Sequence, residues 1–183
     1  MGKAILVTGG SRSGKSKYAE ELLKDKNSVL YIATAIDLDD EMRDRINKHK
    51  ERRNKNWGTF EGYKGLDKVI ENCKEEYILL DCVTIMITNF LVEKERDFDA
   101  ISKDEIERLQ RNIEEEFNAL IESAKKKDKT LVMVTNEVGL GLVPEYRLGR
   151  IFRDIAGIVN QKLAVLSEEV YLVTCGIPLK IKG

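Results

Sequence analysis

Hydrophobic residues gather in five short, near-continuous runs: residues 4 to 8 (Ala4-Ile5-Leu6-Val7-Thr8), Val29-Leu30-Tyr31-Ile32-Ala33, Tyr77-Ile78-Leu79-Leu80, Leu131-Val132-Met133-Val134 and Val170-Tyr171-Leu172-Val173. Runs with no polar alternate predict strands covered on both faces, as in a parallel sheet. Residues 177 to 182 predict a short last strand. Between the runs the period lengthens to that of helices. Ser102-Lys103-Asp104-Glu105 reads as a capping box, and Ile106, Leu109, Ile113, Phe117, Leu120 and Ile121 then form one apolar helix face. Residues 147 to 166 predict another long helix, packing Leu148, Ile151, Phe152, Ile155 and Val159 inward. Its Arg147, Arg150 and Arg153 share a polar strip that faces either solvent or a partner subunit. Alternating β and α elements predict a three-layer α/β fold, with a mostly parallel central sheet and helices on both faces.

Composition narrows the picture. A chain of 183 residues without a repeat or a Pro/Gly/Ser linker fits a single domain over residues 1 to 183. With 31 basic against 32 acidic side chains, the formal net charge of −1 gives no field for nucleic acid or a membrane surface. No apolar run approaches the roughly 18 residues of a membrane span. Cys73, Cys82 and Cys175 are odd in number and lack metal-type spacing. Cys82 and Cys175 lie in apolar strand-like stretches, so the expectation is buried, reduced thiols in a cytoplasmic protein.

The most specific chemistry lies at Gly9-Gly10-Ser11-Arg12-Ser13-Gly14-Lys15-Ser16, a complete G-x-x-x-x-G-K-[ST] phosphate loop entered from the first apolar run. A strand that stops at glycines and restarts as a helix leaves backbone N–H groups converging on one point, a seat for an anion. Ser16 opens the helical stretch, with Tyr18, Leu22 and Leu23 near one face. Lys15 is placed to reach the outer phosphates, and the Ser16 hydroxyl to join the shell of a Mg²⁺ ion. The expected class is therefore a P-loop NTPase fold of RecA-like type, binding a nucleoside triphosphate.

Ligands of open α/β sheets bind beyond the carboxyl ends of the strands. That points to Thr34 and Ala35 after the second run, Asp81 after the third, and Asn136 and Glu137 after the fourth. Asp81 follows its strand as a Walker B acid does and is a second candidate for Mg²⁺; its other reading is a cap on the following helix, a role Thr84 could also fill. Glu137 is either part of a turn or a base for an attacking hydroxyl.

Residues 39 to 57 are strongly polarised. Asp39, Asp40 and Glu41 suit a helix start, and residues 43 to 56 hold seven basic side chains against two acidic ones. Met42, Ile46, His49 and Arg53 fall on one helical face. His49 is the only histidine, and the surrounding cations favour its neutral, nucleophilic form. From position alone it is either that nucleophile or an ordinary packed or surface histidine.

Taken in order, the motifs resemble the bifunctional adenosylcobinamide kinase / adenosylcobinamide-phosphate guanylyltransferase family of cobalamin assembly. The series runs through Ile5-Leu6-Val7-Thr8-Gly9-Gly10, Arg12-Ser13-Gly14-Lys15-Ser16, Tyr31-Ile32-Ala33-Thr34, Asp39-Asp40-Glu41-Met42, Arg45-Ile46 and His49-Lys50. It continues through Trp57, Thr59, Glu61, Thr88-Asn89, Val134 to Gly139, Val143-Pro144-Glu145, Phe152 to Gly157 and Val159-Asn160-Gln161. The resemblance implies phosphorylation of adenosylcobinamide by GTP or ATP, and then GMP transfer from GTP to adenosylcobinamide phosphate through a GMP-histidine. It puts the nucleophile on His49 and nucleotide contacts on Gly9 to Ser16, Thr34, Ala35, Ile36, Lys50, Glu51, Arg52, Arg53, Glu61 and Asp81. It also implies a homo-oligomer, a trimer. Asp81 stands where some relatives carry glutamate, and Lys48 where some carry a second histidine. Asn54-Lys55-Asn56-Trp57 lacks the last residue of the guanine-reading N-K-x-D signature.

Two other functions remain open on the residues. One is a P-loop kinase of a nucleotide or small alcohol with His49 a bystander; the other is a RecA-like nucleotide-gated binding module. The near-zero net charge and small size argue against the module as a nucleic-acid motor.

Overall fold

A computed structural model describes residues 2–36, 54–141 and 143–183. In chain order the elements are β1 (Lys3–Thr8), α1 (Lys15–Glu21), β2 (Val29–Ala33), β3 (Gly58–Glu61), α2 (Leu66–Asn72), β4 (Tyr77–Asp81), α3 (Val83–Val92), α4 (Lys103–Lys126), β5 (Thr130–Val134), α5 (Arg147–Leu166), β6 (Glu169–Thr174) and β7 (Ile177–Lys182). The strands form one sheet in the order β3-β2-β4-β5-β1-β6-β7. All neighbours are parallel except the closing β6–β7 hairpin. The predicted α/β class, the five strands and the short last strand are all present.

Alternate strand residues feed two cores. Leu6, Ile32, Ile78, Leu80, Leu131 and Met133 point to the face covered by α2, α3, α4 and α5, where Ile70, Met86, Phe117, Ile155 and Val159 meet them. Ile5, Val7, Tyr31, Leu79, Val132 and Val134 point to the opposite face, against Ala19 and Leu23 of the α1 region, Trp57 and Cys82. Both faces are dry, which is why the central strands read as unbroken apolar runs.

Other expectations change in detail. The helix predicted to start at Ser102 begins as expected, with the Ser102 hydroxyl accepting the Glu105 amide at 3.2 Å. The Glu105 carboxylate faces Arg96 at 3.8 Å, however, so only half of the capping box is seen. Strand β3 escaped the hydrophobic pattern because Gly58-Thr59-Phe60-Glu61 is a half-exposed edge strand with one apolar side chain. Arg147 donates to the carbonyls of Asp99 and Ile101, and Arg150 to those of Pro144 and Glu145, so these arginines of the strip bind their own chain. Cys82 is buried as expected, but Cys175 is exposed: it occupies the β6–β7 turn with φ 52°, outside the strand it was expected to join.

Candidate active site

Register decides which residues share the carboxyl edge of the sheet. Glu61 pairs with Ala33, Ala33 with Asp81, Asp81 with Val134, and Val134 with Val7. One row thus carries Glu61, Asp81 and the approach to the phosphate loop, with β5 between β4 and β1. Strand spacing sets Asp81 about 10 Å across the sheet from β1, within the span of a bound polyphosphate and a long lysine.

The loop of Gly9 to Gly14 connects β1 to α1. Its curvature depends on glycine at two points. A Cβ at Gly9 would stand 2.3 Å from the Val173 carbonyl oxygen and 2.6 Å from Ser13 Oγ. Gly14 caps α1 in the left-handed region at φ 95°. The Ser13 amide donates to the Gly10 carbonyl at 3.2 Å, and the Gly176 amide of the β6–β7 turn donates to the Ser13 carbonyl at 2.8 Å. Ser11 and Arg12 are exposed, and Arg12 has φ 57°.

Lys15 is buried, 8% exposed, and folds back to donate to the Gly10 carbonyl at 3.1 Å. Burial pushes its pKa down, while the Asp81 carboxylate nearby pulls it up. A buried ammonium whose hydrogen-bond acceptor among the described residues is one carbonyl is under-compensated, and a phosphate chain is the natural counter-charge. Ser13 Oγ and Thr8 Oγ1 add to this: both are buried with no hydrogen-bond partner among the described residues. Orphaned hydroxyls at a loop of this shape fit an oxyanion.

Asp81 ends β4, and its Oδ2 accepts the Tyr31 hydroxyl at 2.8 Å. The N-cap of α3 is Cys82, without a side-chain cap, so Asp81 does not cap that helix; Thr84 bonds to Cys82 Sγ and Asn136 instead. Burial raises the Cys82 thiol to about 11, which keeps it protonated. Thr34 is wholly buried, its hydroxyl donating to the Cys82 carbonyl and accepting from the Cys82 amide, both at 2.8 Å. That side chain ties β2 to β4, while Ala35 is half-buried and Ile36 is exposed just beyond. Glu61 is exposed at the end of β3. His49, Lys50, Glu51, Arg52 and Arg53 lie outside the described residues.

Among the described residues no group of three or more His, Cys, Asp or Glu could by itself hold a metal. Ser16, next to Lys15 in the chain, and Asp81, near enough to act on its charge, are hard oxygen donors, and Mg²⁺ takes few protein ligands beside phosphate oxygens and water. The donor set therefore fits Mg²⁺ arriving with a nucleotide. No described helix is long and apolar enough to cross a membrane.

Beside the loop opens a crevice of about 330 Å³, lined by Ser11, by Thr84, Ile85 and Thr88 of α3, by Asn136, Glu137 and Val138 after β5, and by Phe152 of α5. Its wall is tied down residue by residue. The Thr135 amide donates to the Val7 carbonyl and the Glu137 amide to the Gly9 carbonyl, both at 3.0 Å. Asn160 accepts from Thr135 Oγ1 at 2.7 Å and donates to the Asn136 carbonyl at 3.0 Å, while Asn136 Nδ2 donates to Thr84 Oγ1 at 2.6 Å. The Glu137 carboxylate accepts the Gly139 amide at 2.8 Å. Sequence reasoning missed the crevice and the Tyr31–Asp81 bond, since both depend on side chains far apart in the chain.

A glycine-sharpened loop after β1, a buried lysine opening the helix that follows it, and an acid ending a strand two places away define a P-loop nucleotide-binding protein of the α/β class. A family model for cobinamide kinase / cobinamide phosphate guanyltransferase matches residues 5–181. The bifunctional adenosylcobalamin biosynthesis proteins CobU of Escherichia coli and of Salmonella typhimurium are each 48% identical to the chain over 180 residues, covering 97% of it and 99% of the relative. CobP of Pseudomonas aeruginosa, with the same description, is 36% identical over 181 residues, covering 97% of the chain and 96% of the relative. The chain belongs to the cobinamide kinase / cobinamide phosphate guanyltransferase family and is an enzyme of that kinase and nucleotidyltransferase type, as the motif series implied.

Proposed function

We propose that a single nucleotide seat, Gly9 to Ser16 with Asp81 opposite, serves two successive transfers. In the first, the aminopropanol hydroxyl of adenosylcobinamide attacks the γ-phosphorus of GTP or ATP; the bond to the bridging oxygen breaks and the nucleoside diphosphate leaves. In the second, neutral His49 attacks the α-phosphorus of GTP, releasing pyrophosphate and leaving GMP on the imidazole. Adenosylcobinamide phosphate then displaces the histidine and departs as adenosylcobinamide-GDP. Splitting nucleotidyl transfer in this way lets one site release pyrophosphate before it admits a bulky acceptor.

The supporting observation is the buried Lys15 among the orphaned hydroxyls Thr8 and Ser13, a seat short of negative charge. Lys15 holds the outer phosphates, and the loop amides orient the chain for in-line attack. Mg²⁺ held by Ser16 and Asp81 would neutralise phosphate charge and polarise the leaving oxygen. Thr34, Ala35, Ile36, Glu61 and the cluster Lys50, Glu51, Arg52 and Arg53 complete the nucleotide contacts in this reading. It also includes a single domain, a cytoplasmic setting and a homotrimer, the last checked by sedimentation equilibrium.

Incubation with GTP labelled at the α-phosphate tests the transferase half. The expected result is a protein-bound label, acid-labile and alkali-stable as for a phosphoramidate, lost in His49→Ala. An unlabelled wild-type protein that still phosphorylates cobinamide would leave only a kinase.

A further inference from the structure

The crevice beside the phosphate loop shares its wall with the nucleotide seat. Ser11 belongs to both, and the Glu137 amide is bonded to Gly9. Its lining is mixed: Thr84, Thr88 and Asn136 are polar, and Ile85, Val138 and Phe152 are apolar. Such a lining suits an alcohol borne on a large, amide-decorated apolar body. Leu140, Val143 and Tyr146, in the stretch between the crevice residue Val138 and α5, stand 88%, 64% and 68% exposed, an apolar surface open to such a body.

We propose that this crevice is the acceptor subsite of the kinase step, and that Glu137 is the base that takes the proton of the attacking hydroxyl. The proposal rests on the kinase reading above. Glu137 is fixed for the task from both ends. Its amide is anchored to the loop at Gly9, and one carboxylate oxygen is held by the Gly139 amide. Glu137 itself is among the residues lining the crevice, and its second oxygen takes no hydrogen bond among the described residues. As the oxygen–phosphorus bond forms and the bridging bond of the triphosphate breaks, the hydroxyl proton passes to that oxygen, so charge and atoms balance without a further reactant. Asn160, Asn136 and Thr84 form the hydrogen-bonded chain that keeps the crevice wall in register with the loop.

Phosphoryl transfer from γ-labelled ATP or GTP to cobinamide, followed for wild type, Glu137→Gln and Thr88→Phe, decides the matter. In Glu137→Gln the amide oxygen still accepts from Gly139, so the loop keeps its shape. Kinase turnover should fall on the order of 10²–10⁴-fold. Nucleotide Kd, and labelling of the protein by α-labelled GTP, should stay within about threefold of wild type. Thr88→Phe, which fills the crevice, should raise KM for cobinamide at least about tenfold with nucleotide Kd unchanged. Kinase turnover in Glu137→Gln within about threefold of wild type overturns the base assignment, and an unchanged KM in Thr88→Phe overturns the subsite. Wild-type protein unable to phosphorylate cobinamide would instead overturn the kinase reading, and this inference with it.

Discussion

The two ends of the parallel strands are built on opposite principles. At their amino ends, charges and polar groups are matched. Lys3 and Lys180 meet Glu169, Lys125 and the Ala4 amide meet Glu168, and the buried Lys129 donates to the carbonyls of Cys73 and Glu75. At their carboxyl ends the phosphate loop and its approach leave polar groups short. Thr8 and Ser13 keep buried hydroxyls without a partner among the described residues, and Lys15 is buried against one carbonyl. Burial without compensation costs stability, so it persists only where a ligand supplies what is missing. One end of the sheet holds the fold together, and the other holds unmet hydrogen-bonding capacity in readiness for phosphate.

The sharpest break of that contrast is Lys15→Ala. It should abolish both transfers, a loss on the order of 10³-fold or more in turnover, while thermal stability stays level or rises because an under-compensated charge is gone. GTP affinity retained within about threefold, read by calorimetry, would count against the seat. Asp81→Asn comes next: Mg²⁺-dependent turnover should drop by about 10²-fold, with much smaller loss of nucleotide binding. Equal loss of both would reduce Asp81 to a structural partner of Tyr31.

Gly9→Ala tests whether the carboxyl end tolerates filling. With the new Cβ 2.3 Å from the Val173 carbonyl, stability should fall by about 1–3 kcal/mol and GTP binding with it. A variant that melts and binds like wild type would show that the loop can relax.

The smallest effect belongs to the amino end. Hydrogen bonds from Lys3 and Tyr171 push the Glu169 pKa down to about 2, whereas an unfolded glutamate titrates near about 4.3. Its contribution is therefore present above about pH 4.3 and lost as pH falls towards 2. Glu169→Gln should lower stability by about 1 kcal/mol at neutral pH, leave both transfers intact, and converge on wild type in acid. A gap in melting temperature that widens on acidification would reverse the sign.

The strands and the phosphate loop at their carboxyl ends are legible in the sequence alone, whereas the matching at the amino ends is not. The strands announced themselves because burial on both faces writes an unbroken apolar run, and the phosphate loop because tight curvature around an anion demands glycines at fixed spacing. Asp81 was legible as the acid ending the third run. What stayed hidden depends on partners distant in sequence. Nothing at Thr34 signals that its hydroxyl is committed to Cys82, or at Tyr31 that its hydroxyl reaches Asp81. Cys175 was misplaced because its apolar neighbours look like strand while the backbone there turns left-handed. The crevice needed α3, α5 and the segment after β5 to be assembled before it existed at all.

The Gly176 amide that bonds the Ser13 carbonyl makes the terminal hairpin a buttress for the catalytic loop. Strand β7 is exposed along its whole length, yet its turn presses on the part of the molecule where tolerance for displacement is least. Rigidity in the triphosphate cradle is thus lent by the most peripheral element of the sheet, and loosening that outer ribbon would slacken the grip on substrate without touching a single residue that contacts it.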